Sequence, residues 1–149
     1  MSVITHILYA TDFSDGAAEA AALARELAEV HGARLHLLHV ITELDDRHRR
    51  GIPASVMEAF VKEVKTQAMA DLHSFQRRYF QGLENQLTTE LRLGHGADEI
   101  LASATETGAS LIVLGTRSRR GMEKWLIGST AERVLRLSAL PVLTVPERS

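Results

Sequence analysis

The chain has 149 residues, 45% of them hydrophobic and 24% charged, close to the averages of folded globular domains and unlike those of disordered chains. It has no cysteine, which excludes disulfides, thiolate metal sites, iron–sulfur clusters and a cysteine nucleophile. A formal charge of −2 argues against bulk attraction to nucleic acid, and the apolar runs are far shorter than the roughly 18 residues of a membrane span. No basic n-region precedes an apolar stretch at the N-terminus, so a cytoplasmic protein with a single domain over residues 1–149 is expected.

Short apolar runs alternate with longer patterns of helical period. Ile4 to Thr11 reads as a strand that stops at Asp12-Phe13-Ser14-Asp15, with Ser14 the predicted N-cap of an alanine-rich helix over Asp15 to Val30. His31-Gly32 ends that helix, the glycine being free to take the left-handed cap conformation. Arg34 to Ile41 is a second strand, and Glu43 to Gly51 a charged loop expected to be mobile. Beyond Pro53, Met57, Phe60, Val61, Val64, Ala68, Leu72, Phe75 and Tyr79 recur at steps of three and four, one apolar stripe on a long helix. Leu87 to Leu93 alternates as a strand does, Gly94-His95-Gly96 breaks it, and Ala97 to Thr107 is helical until Gly108. Ser110 to Leu114 is a continuous aliphatic run of the kind found in strands covered on both faces. A loop from Gly115 to Gly128, a helix over about Thr130 to Leu137 and a last strand, Pro141 to Val145, complete the chain.

This alternation predicts an α/β fold: one doubly wound, Rossmann-like, five-stranded parallel sheet with helices on both faces. If the chain starts in the middle and winds outward both ways, the strand order is 3-2-1-4-5. Ligands of such sheets bind beyond the carboxyl ends of the strands, where the winding reverses. Two segments compete for that place: Ala10-Thr11-Asp12 after the first strand, and the loop after the fourth.

The second segment combines three features. Gly115 and Gly121 permit bends and close approach that a Cβ would block. Ser129 and Glu132 have the spacing of a capping box, which marks a helix start. Gly128, just before it, leaves the first-turn amides open to an anion, with the positive end of the helix dipole behind them. Between Gly115 and Arg136 six basic residues face two acidic ones, so a loop carrying four excess positive charges sits on a body carrying −6. Each feature alone also fits a solvated surface loop; together, after a buried strand, they suit the phosphates of a nucleotide. The segment is neither a P-loop nor a G-x-G-x-x-G turn. His36 and His39 are three apart on a strand and point to opposite faces, and the remaining histidines are scattered, so no metal site is expected.

At these residues the chain resembles the universal stress proteins. The likeness runs through Ile7-Leu8-Tyr9-Ala10-Thr11-Asp12-Phe13-Ser14, Leu38-His39-Val40, Gly94-His95-Gly96, the glycine loop and Pro141-Val142-Leu143-Thr144-Val145. ATP-binding members of that family carry G-x2-G-x9-G-[ST] after the fourth strand; Gly115, Ser118, Gly128 and Ser129 keep the spacing, with serine in place of the second glycine. A serine there weakens binding if the position needs positive φ, or donates to a phosphate if it is merely tight.

The resemblance implies ATP as ligand, with Mg²⁺ arriving on the phosphates, since no carboxylate cluster would hold the ion alone. Ala10, Thr11 and Asp12 would lie near ribose and adenine, Val40 would line the adenine pocket, and Gly115, Arg117, Ser118, Gly121, Gly128, Ser129 and Thr130 would surround the phosphates. Asp12 equally fits a polar residue that merely ends a strand. No base or nucleophile declares itself, so a binding module is favoured over a dedicated enzyme, with a nucleotide-free interaction protein or a slow ATPase as the alternatives. The resemblance further implies a homodimer through the last strand, with Val142 and Thr144 near the interface.

Overall fold

A computed structural model describes residues 3–14, 17–42, 51–117 and 128–147. Five strands and four helices alternate: β1 (His6–Ala10), α1 (Ala18–His31), β2 (Arg34–Ile41), α2 (Ala54–Tyr79), β3 (Leu87–Leu93), α3 (Gly96–Thr107), β4 (Leu111–Arg117), α4 (Ser129–Leu137) and β5 (Val142–Glu147). All four ladders are parallel and the order is β3-β2-β1-β4-β5, as predicted. The chain winds outward from β1 to β3, then returns to the other side of β1 for β4 and β5.

Alternation along the strands divides the core into two layers. Ile7, Tyr9, Leu35, Leu37, Leu111 and Val113 meet the side of the sheet covered by α1 and α2. Leu8, Leu38, Ile112 and Leu114 meet α3 and α4 through Ala97, Ile100, Ala104, Ala131 and Val134. Helix α1 lies close to the sheet because Ala20, Ala21, Ala24 and Ala28, all fully buried, put only methyl groups between the two backbones. It ends where expected, at Gly32 in the left-handed conformation (φ 60°).

Several local expectations are corrected. Ser14 is not the N-cap of α1: the cap is Ala17, without a side-chain cap bond, while the Ser14 amide donates to Asp12 Oδ1 at 3.0 Å and its carbonyl accepts from Ala17 N. The apolar stripe of α2 is buried only at Ala68, Leu72 and Phe75; Phe60 is 47% exposed and Met57, Val61, Val64 and Tyr79 are half-buried. The reason is length. A helix of 26 residues is about 39 Å long at 1.5 Å per residue, against about 26 Å for the eight residues of β2, so its first turns overrun the sheet. Strand β4 continues through Gly115, Thr116 and Arg117, placed above in a loop, because β5 also continues and pairs them in register with Val145, Pro146 and Glu147. The charged loop falls mainly on residues 43–50, outside the described residues.

Strand β3 meets α3 through charge rather than apolar contact. The Arg92 guanidinium donates to Glu99 (2.8 Å), Glu90 (3.0 Å) and Glu106 (2.8 Å). Glu90 Oε1 also accepts from Ser103 Oγ at 2.7 Å and pairs with His36 Nε2 at 2.9 Å, and His36 Nδ1 lies 2.6 Å from Thr88 Oγ1. Burial pushes the Glu90 carboxyl up, but His36, Ser103 and Arg92 outweigh it and hold it below the usual carboxylate range. The hydrogen bond from Arg92 does the same for Glu106. This network ties α3 to the edge of the sheet.

Candidate functional site

The site begins with a length mismatch. Strand β1 ends at Ala10, opposite Leu38 on β2 and Leu114 on β4. Both neighbours run on for three residues, His39 to Ile41 on one side and Gly115 to Arg117 on the other. A notch is left at the point where the winding reverses, the position at which open parallel sheets bind ligands.

Residues 11–13 fill the floor of the notch. Thr11, 7% exposed, donates its amide to Leu38 O, and its Oγ1 accepts from Phe13 N at 3.1 Å. Asp12 is exposed, and its Oδ1 accepts from Ser14 N. Phe13 has φ 62°, a left-handed conformation that costs a non-glycine residue about 1–2 kcal/mol. Its ring offsets this by stacking on His39, centroids 4.2 Å apart, and by packing on Phe75 at 5.7 Å. His39 Nδ1 in turn donates to Thr11 O at 2.7 Å. His36 and His39 face opposite sides of the sheet, as expected. Among the described residues no group of three or more His, Asp or Glu side chains is placed to hold a metal ion.

One wall of the site is built from two helix starts. Helices α3 and α4 follow β3 and β4 on the same face, so both N-termini lie at the carboxyl end of the sheet. They come close: a Cβ at Gly96 would stand 3.3 Å from Thr130 Cγ2 and Oγ1. Between them lies a depression of about 350 Å³ lined by His95, Gly96, Ala97, Asp98, Ser129, Thr130 and Arg133. Neither N-cap, His95 nor Gly128, makes a side-chain cap hydrogen bond. Among the described residues, then, no N-cap side chain occupies the first-turn amides, and two helix dipoles are directed at the depression. Arg133 reaches Asp98 Oδ1 at 3.4 Å across the depression.

The expected capping box does not form. Glu132 N donates to Gly128 O at 3.0 Å, which makes Gly128 the N-cap and Ser129 the first helical residue; the Glu132 carboxylate instead approaches Arg136 at 4.0 Å. The shift by one residue leaves Ser129 and Thr130 exposed at the rim of the depression.

Ala10 and Val40 pack with Leu114, Ala97 and Ala131 in one cluster, so the nucleoside side of the predicted site adjoins the phosphate side. Gly115 and Arg117 flank the notch from β4. Ser118 and Gly121 lie outside the described residues. Reading the sequence missed His95, Gly96, Asp98 and Arg133, whose signal was the second helix start on the same face, after Gly94-His95-Gly96.

A profile of the universal stress protein family matches residues 4–146. The chain belongs to the universal stress protein family. Among its relatives, the universal stress protein YxiE of Bacillus subtilis is 34% identical over 144 residues, covering 93% of this chain and 97% of YxiE. Universal stress protein MJ0577 of Methanocaldococcus jannaschii is 27% identical over 155 residues, and its solved structure superposes with a TM-score of 0.77 over 99% of both chains. A universal stress protein solved in complex with cAMP shares the fold at a TM-score of 0.60 and 23% identity, over 97% of this chain and 98% of that one. No helix among the described residues of this universal stress protein is long and apolar enough to cross a membrane.

Proposed function

We propose that this universal stress protein binds an adenine nucleotide, ATP with Mg²⁺, and works as a dimeric stress-response module. The observation that carries the reading is the pair of helix starts, with no side-chain cap bond at either N-cap, opening on one depression beside the notch of β1. First-turn N–H groups and two dipoles directed at one depression suit phosphates, and the apolar Val40 beside Ala10 suits a flat base. A family member of this fold was solved with a cyclic adenine nucleotide, which fits the same assignment. Asp12, two residues past the end of β1, would accept from ribose hydroxyls. Mg²⁺ would supply charge neutralisation between phosphate oxygens and would come with the nucleotide.

Purified protein should release an adenine nucleotide on denaturation, and stripped protein should give a saturable heat with Mg-ATP in titration calorimetry. An empty protein with no heat would return the chain to the nucleotide-free alternative. Phosphate release of many turnovers per chain per minute, lost in Asp12→Ala, would make it an ATPase instead.

Strand β5 is an edge of the sheet, with Val142 and Thr144 half-buried. Its outer backbone groups are proposed to pair with the same strand of a second copy. Sedimentation at micromolar concentration should show twice the chain mass, and Thr144→Pro, which introduces a ring and removes an N–H on this edge, should shift it to monomer. A monomeric parent protein would remove the dimer from the proposal.

A further inference from the structure

We propose that His39 is a positioning residue for the Asp12 turn, holding it by a side-chain hydrogen bond and a ring stack without itself touching a ligand; this rests on the nucleotide reading of the site above. Strand β2 runs three residues past the end of β1, so His39 is the first β2 residue with no β1 partner beside it. It is thereby free to grip the departing chain. Its Nδ1–H donates to the Thr11 carbonyl at 2.7 Å, which also settles the site of the ring proton. Its ring lies against Phe13 at 4.2 Å and 30°. The two contacts bracket Asp12 from the residue before and the residue after it.

What they hold is a turn with a strained residue in it. Phe13 stands at φ 62°, and among the described residues the turn's internal bonds include two short side-chain acceptances, Phe13 N to Thr11 Oγ1 and Ser14 N to Asp12 Oδ1. Relaxing Phe13 to negative φ would re-aim the peptide that follows Asp12. The stack on His39 and the contact with Phe75 of α2 oppose that relaxation. His39 thus acts on the ligand through Asp12, and its removal should matter only as far as Asp12 matters.

Two variants separate its parts. His39→Phe keeps a ring for Phe13 and removes the donor; His39→Asn restores a donor near the position of Nδ1 and removes the ring. Mg-ATP affinity should fall about tenfold in His39→Phe and recover to within about threefold of the parent in His39→Asn. The double variant Asp12→Ala/His39→Phe should bind no more weakly than Asp12→Ala alone, because one acts through the other. Losses that multiply, or an unchanged affinity in His39→Phe, would overturn the proposal. Should the parent protein bind no nucleotide, the site reading fails by itself, and amide exchange decides the positioning claim. Exchange about tenfold faster at Phe13 and Ser14 in His39→Phe, with β1 and β2 amides unchanged, supports it; unchanged exchange at those two amides refutes it.

Discussion

Gly128→Val is expected to lower Mg-ATP affinity at least about 30-fold, or roughly 2 kcal/mol, while leaving the protein folded. Gly128 has φ −57° and ψ 152°, an extended conformation open to any residue, so valine meets no backbone strain there. As the N-cap of α4, however, its side chain would project over the first-turn amides. Serine or asparagine in that place would accept from them; valine accepts nothing and covers them. Loss of an adequate cap should cost stability as well, about 1 kcal/mol, or a fall in Tm of some 2–4 °C for a chain of this size. Calorimetric titration beside a thermal melt separates the two effects. Undiminished binding in a folded variant would remove the α4 N-terminus from the site.

The expected effect is large because of something only partly visible in the residue string. The five strands, their order and the reversal at β1 were legible, since Leu8, Leu38, Ile112 and Val113 sit in apolar runs that only a doubly covered parallel sheet can bury. The position of Gly128 near a helix start was legible too, but not which residue caps it. That depends on which carbonyl opens the i→i+4 ladder, and Gly128 O takes Glu132 N although Ser129 has the better capping side chain. Ser14 misled for the same reason, its amide being engaged by Asp12. The extension of β4 through Arg117 is a tertiary effect: Gly115-Thr116-Arg117 has a loop's composition and becomes a strand because Val145, Pro146 and Glu147 lie alongside. Gly94-His95-Gly96 marked a second helix start, but that His95 and Asp98 meet Arg133 around one depression was not legible, because it depends on α3 and α4 converging across a sheet.

The Arg92 network was equally hidden, because Glu90 and Arg92 read simply as the polar half of an alternating strand. Replacing Arg92 by methionine is expected to cost about 2–3 kcal/mol at pH 7, a fall in Tm of about 5–10 °C. Arg92 is 17% exposed and is the common partner of Glu90, Glu99 and Glu106, so its removal leaves three carboxylates facing one another with His36 beside Glu90. Methionine fills the volume without supplying a donor. The dependence on pH identifies the cause. In the parent protein the Glu90 and Glu106 carboxyls titrate below their ordinary 4.5, so the stability they carry is complete above that value and is lost as pH falls through the lowered folded values. Without the guanidinium, mutual repulsion pushes the carboxyls upward, and protonation then relieves the folded state of the variant. The gap in unfolding free energy should therefore narrow as pH falls from 7 to 5, as urea titrations at both values would measure. A gap that widens or stays constant would assign the loss to packing instead. Helix α3 supplies half of the depression and is held to β3 by these bonds, so Mg-ATP affinity should weaken with the same pH dependence, linking a charge cluster on one side of the sheet to the proposed anion site at its end.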